Sequence, residues 1–136
     1  MEALLIIGRI LFSLIFLGAG IGHLVKPEET AAYAESRGMR NAGWMVRVSG
    51  VLIAAGGLGV ILGVWMDLAA LGLAVYLLLA AFLIHHFWSD EEPSRSMEMA
   101  MFMKNLAIAG AGLIIFAMAA GGADIGWELG SRVFDL

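Results

Sequence analysis

The chain has 136 residues, 61% of them apolar, a formal net charge of −4 and no cysteine. A soluble domain of this length is nearer half apolar, so the excess points to a lipid environment rather than to one small core. The missing cysteine excludes thiolate, disulfide and Cys-ligated zinc or iron–sulfur chemistry, and the acidic balance leaves nucleic acid no basic face to bind.

The first apolar run covers residues 4–25. It is long enough to cross a hydrocarbon core of about 30 Å as a helix, and it lacks the basic n-region and A-x-A site of a cleaved signal peptide. Arg9 lies inside it, about 8 Å along the helix from Leu4 at roughly 1.5 Å per residue. Two readings stand: the side chain snorkels outward, or it meets an internal partner among Asp67, Asp124 and Glu128, with Asp67 the best placed. His23 falls near the end of this run. The link VKPEETAAYAESRGMRNAG follows. Pro27 suits a first helical position, Glu28 and Glu29 complement a helix N-terminus, and Gly38 suits the stop, so a short interfacial helix is expected over 27–36.

The second span is expected at 44–64, with Arg47 and Ser49 in its first two turns. Few residues separate it from the third, so the two form a tight hairpin at Trp65-Met66-Asp67, with Asp67 as the N-cap of the next helix. The third span, 68–88, ends on FLIHHFW. Neighbouring helical residues point about 100° apart, so His85 and His86 cannot both face the bundle axis. After the acidic link SDEEPSRS, Pro93 starts the fourth span, 97–120, with Lys104 and Asn105 two turns in. Met97, Met99, Met101 and Met103 alternate there; on a helix no single face presents all four, so they read as adaptable packing. Gly18 with Gly22, Gly59 with Gly63 and Ala107 with Ala111 have the small-xxx-small spacing of close helix contacts.

The fold expected is all-α: one membrane domain over 1–136, a four-transmembrane-helix bundle with an interfacial helix between helices one and two. Trp44, Trp65, Trp88 and Trp127 all fall at or just beyond span ends, where indole favours the headgroup layer. Lys26, Arg37, Arg40, Arg47, Arg95 and Lys104 lie on the side of the first and third links, against Arg9 and Arg132 on the other. That asymmetry predicts both links in the cytoplasm and both termini outside an inner (plasma) membrane.

All four spans bring a polar group toward the cytoplasmic half: His23, Arg47, His85 and His86, Lys104 and Asn105. Histidine, lysine and asparagine can hydrogen-bond a quinone carbonyl, and histidine can carry the proton. The histidines could instead bind metal or haem, or the whole set could serve structure alone. Neither metal nor haem is expected, and a quinone is the candidate cofactor.

GRILFSLIFLGAGIGHLVKP, SGVLIAAGGLGVILG, LAALGLAVYLLLAAFLIHHFW and MFMKNLAIAGAGLIIF together resemble the DoxX family of small membrane proteins, up to about Ala120. The tail GGADIGWELGSRVFDL is outside the resemblance. The resemblance implies a four-helix inner-membrane fold, and it marks Arg9, His86, Phe87, Trp88, Lys104 and Asn105 as family-typical. The family takes its name from an archaeal thiosulfate:quinone oxidoreductase, and other members are associated with redox stress or redox-enzyme maturation. On this basis the chain is expected to work beside quinone, as a quinone-linked oxidoreductase subunit if it is catalytic. His86 with Lys104 and Asn105 would then hold the headgroup, while His23 or His85 relays protons. The rival readings are a non-catalytic assembly subunit and a small transporter or lipid-interacting protein. The partners expected are the bilayer and either other membrane or redox proteins or further copies of the chain.

Overall fold

The computed structural model describes residues 1–136. It contains five α-helices and no strand: α1 (Glu2–Val25), α2 (Pro27–Ser36), α3 (Ala42–Leu62), α4 (Met66–Leu83) and α5 (Ser94–Ala120), with a 3₁₀ turn at Phe87–Ser89 between α4 and α5. Four of these helices are long and apolar enough to cross a membrane. The short α2 lies between the first two, beginning at Pro27 and stopping before Gly38, which takes φ +94°.

Burial follows a repeat of three or four residues in each long helix. The inward residues are Arg9, Ser13, Phe16 and Gly20 on α1, and Val46, Gly50, Ile53, Gly57 and Val60 on α3. On α4 they include Ala70, Leu73, Ala74, Leu77 and Ala81, and on α5 Phe102, Asn105, Ala109 and Gly112. That is the spacing of a helix seam. α1 packs on α3 and α4 on α5, and α3 joins the two pairs through α4. The main core is built from Phe16, Ile53, Val60, Leu73, Leu77, Ala109 and their neighbours. Outward residues such as Leu11, Leu14, Leu52, Leu79 and Ile114 stay exposed, as lipid-facing positions do.

Small residues set the closest helix approach, but not all those their spacing singled out. A Cβ on Gly20 would lie 2.8 Å from Ala54 Cβ, and one on Gly50 would lie 2.8 Å from His23 Cβ, so α1 and α3 touch through these two glycines. Gly59 and Gly63 pack at the hairpin. Gly18 and Gly22 have no neighbour within 4 Å, and Ala107 and Ala111 are exposed.

Three expectations need correction. The third helix stops at Leu83, not at residue 88, so the two histidines lie in the link and are not constrained to helical spacing. Asp67 is not the N-cap of α4: that position is Trp65, at φ +46°, and Asp67 lies one residue inside the helix. Its side chain accepts from Leu68 N–H, and also from Val133 N–H at 2.7 Å and Phe134 N–H at 2.5 Å in the tail. Finally, Arg9 neither snorkels nor pairs with Asp67. It is buried and donates to four carbonyls: Val60 (2.8 Å), Ile61 (2.7 Å), Trp127 (2.6 Å) and Ile125 (3.4 Å).

The tail thereby becomes part of the fold. Leu129 N–H and Gly130 N–H bond the carbonyls of Leu62 and Gly63, and Phe134 packs edge-on against Phe116 at 5.7 Å. The last carbonyls of a helix have no partner within it. At α3 they are taken in turn by the Gly63 N–H at Gly59, by Arg9 at Val60 and Ile61, and by the tail at Leu62.

Candidate functional site

At the other end of the bundle, α1 finishes, α2 crosses, α3 begins, α4 finishes and α5 begins. α2 is held there by polar contacts. Arg37, which ends it, donates to both carboxylate oxygens of Asp90 (2.7 and 2.9 Å) and to the carbonyl of Ile84 (2.7 Å). Both side chains of this pair are largely shielded. The guanidinium holds the Asp90 carboxyl below its usual range, and the carboxylate raises Arg37 in turn. At the edge of the same helix Glu28 pairs with Arg47 at 2.9 Å in the open.

Arg37 also takes up His86. The Nε2–H of His86 donates to the Arg37 carbonyl (3.1 Å), and its Nδ1 faces the Arg37 guanidinium (3.2 Å) and the Ser89 hydroxyl (2.7 Å). Both ring nitrogens are therefore used inside the protein. His85 is placed differently. Its Nδ1 lies 2.8 Å from Glu98 Oε2, while the Tyr33 hydroxyl donates to Glu98 Oε1 at 2.5 Å. Glu98 is buried on the first turns of α5. Burial first, and then the Glu98 carboxylate, pushes the Tyr33 phenol well above its ordinary value, so Tyr33 keeps its proton.

Behind Tyr33 and His85 lies a cavity of about 340 Å³ between α2, the start of α3 and the end of α4. Its walls are mostly apolar, with Met39, Met45, Leu79 and Leu83 among them. Its polar lining includes two hydrogen-bonded groups, Tyr33 and His85 sharing Glu98 and His23 with Ser49, together with Tyr76 and Thr30. His23 Nδ1 lies 2.9 Å from Ser49 Oγ, across the Gly50 contact that brings α1 close to α3. A concave, largely apolar site with a few convergent polar groups is the usual form of a small-molecule pocket, and its volume lies at the lower end of the usual range of about 300–1,000 Å³.

Of the six residues expected to share one site, the structure brings His23 and His85 to this cavity. His86 is tied to Arg37, and Arg47 is exposed beside Glu28. Lys104 is exposed with its Nζ 3.4 Å from Met101 Sδ, and Asn105 is buried on α5 away from the cavity lining. Sequence reading missed Tyr33, Tyr76, Glu98 and the Arg37–Asp90 pair as parts of this end. Glu98 carried a signal, since a carboxylate within an apolar helix needs a partner.

A second cavity, about 310 Å³, opens between α1 and α5 and is apolar apart from Arg9. Between Arg9 and the histidine end the buried polar side chains are Ser13 on α1 and Asn105 on α5, set among the apolar residues of the main core.

Four apolar spans, a polar clasp at one end and a folded-back tail at the other define a small multi-pass membrane protein with a cavity of about 340 Å³ at the clasp end of the bundle. The chain belongs to the DoxX family, whose model matches residues 4–86. It is also similar to the Inner membrane protein YqjF of Escherichia coli (strain K12), at 33% identity over 118 residues, covering 87% of this chain and 85% of that one. No solved structure matches it. Arg9 and His86 fall within the matched span, while Lys104 and Asn105 lie beyond it.

Proposed function

We propose that the protein is an inner-membrane receptor for a quinone-type headgroup, held in the cavity under α2 and working with a membrane redox system. The observation that carries this reading is the pairing of two histidines and two tyrosines with apolar walls in one cavity at the bundle end. A headgroup ring with oxygens at opposite edges needs two such polar groups with apolar contact between them. Its alkyl chain would leave between the helices into lipid. The resident groups bind and orient; electrons would have to come from a partner, since His, Tyr and Glu side chains hold none in reserve. The lysine and arginine excess at this end favours the cytoplasmic face for it.

Binding of a short-chain alkyl quinone to protein in lipid nanodiscs tests the reading. Ala80 lines the cavity, and Ala80→Phe is expected to weaken binding by tenfold or more, about 1.4 kcal/mol. Ala111→Phe, which fills the α1/α5 groove instead, is expected to leave binding unchanged. Absence of binding to the wild type, or loss with Ala111→Phe alone, would overturn the reading.

A further inference from the structure

We infer that the cavity is built to accept hydroxyl donors, so that of the two redox forms of such a headgroup it prefers the dihydroxy form. This rests on the cavity being the headgroup site. Neutral imidazole has one N–H donor and one lone-pair acceptor, and what its first nitrogen bonds to decides what the second offers.

At His23, the neighbour is Ser49. The one hydroxyl proton of Ser49 donates to the Val46 carbonyl at 2.9 Å, so its oxygen accepts from His23 Nδ1–H. At His85, the neighbour is the Glu98 carboxylate, which has no proton to give and already accepts from Tyr33. His85 Nδ1 therefore carries the proton too. With both rings neutral, Nε2 of each is left as an acceptor to which no protein donor is bonded, and both rings line the cavity.

The remaining hydroxyls do not reverse this. The Tyr33 proton is held by Glu98, and Tyr76 can donate or accept, so it serves either form. A quinone carbonyl facing Nε2 sets acceptor against acceptor. A hydroquinone hydroxyl in the same place donates to it, and a site made to receive a hydroxyl discriminates against the analogue lacking one. Ser49 and Glu98 act here as positioning residues that fix the tautomers.

The test compares three ligands of one shape under anaerobic conditions in nanodiscs: an alkyl hydroquinone, its quinone, and its dimethyl ether, which has no donor. The hydroquinone is expected to bind roughly tenfold tighter than the other two, the value of one good hydrogen bond. His85→Ala and His23→Ala are each expected to narrow that ratio. Ser49→Ala, a small change that removes the acceptor fixing His23, narrows it while leaving the imidazole in place. Because the readout is a ratio, a general loss of affinity does not imitate it. Equal binding of the three, or tighter binding of the quinone, overturns the tautomer-based preference and leaves the headgroup site standing. Binding of none of them overturns both.

Discussion

Arg9→Ala is expected to lower the stability of the folded protein by roughly 3–6 kcal/mol, two hydrogen bonds from a charged donor being worth about 1.5–3 kcal/mol each. The side chain is 5% exposed and closes the carbonyls of Val60 and Ile61 at the end of α3. The positive charge also complements the negative end of that helix. With alanine those carbonyls lose their partner where lipid offers none, and the tail loses its anchor at Trp127. Thermal unfolding in mild detergent reads the effect. Arg9→Lys is expected to recover only part of it, since one ammonium cannot reproduce the planar fork that reaches α3 and the tail together. An unshifted midpoint for Arg9→Ala would contradict this role.

The second large effect is expected at Asp67, which is fully buried and whose Oδ2 receives both the Val133 and Phe134 N–H groups. Asp67→Ala removes the acceptor for both and is expected to cost roughly 2–4 kcal/mol. The loss should be local before it is global. Hydrogen exchange and protease cutting should rise first over residues 128–136, with the spans still protected. Asp67→Asn, which retains one accepting oxygen, should sit between the two. Exchange rising uniformly across the chain would show Asp67 to be a core residue only, with no special hold on the tail.

These two residues mark where sequence stops being legible. The four spans could be read from run length, and α2 from Pro27 and the acids behind it, because both signals are local. The partners of Arg9 and Asp67 are backbone carbonyls and N–H groups, present at every residue and so carrying no mark in the sequence. A charged residue in a span announces that it needs a partner; the partner itself announced nothing. The end of α4 failed for a related reason. The apolar run continues through Phe82-Leu83-Ile84, and hydropathy gives no stop before Trp88. The helix stops at Leu83, where Arg37 takes the Ile84 carbonyl and Glu98 takes His85, contacts made by residues 47 and 13 positions away.

The candidate site was half legible. His23 and His85 were visible as polar groups at matching depths, and they do meet one cavity. Lys104 turns to the exposed face of α5, while Asn105 shares the inward face of Glu98 but lies nearly two turns deeper, below the cavity. Glu98, nearly two turns earlier on the same inward face as Asn105, reaches His85 and sits among methionines that drew attention to packing instead. Tyr33 lies in an alanine-rich helix whose position over the cavity depends on the Arg37–Asp90 pair, a contact between two links.

A quinone-type headgroup held in the cavity under α2 should mark the residues around it. The most direct measurement is photo-crosslinking with an alkyl quinone bearing a photoreactive group on its ring, followed by mapping of the adducts by mass spectrometry. Adducts on α2, on the first two turns of α3 and on the last two turns of α4, competed away by unlabelled headgroup, are the result predicted. Adducts confined to the α1/α5 groove around Leu5, Phe12 and Ile115, or spread without competition over the lipid-facing residues, would contradict it.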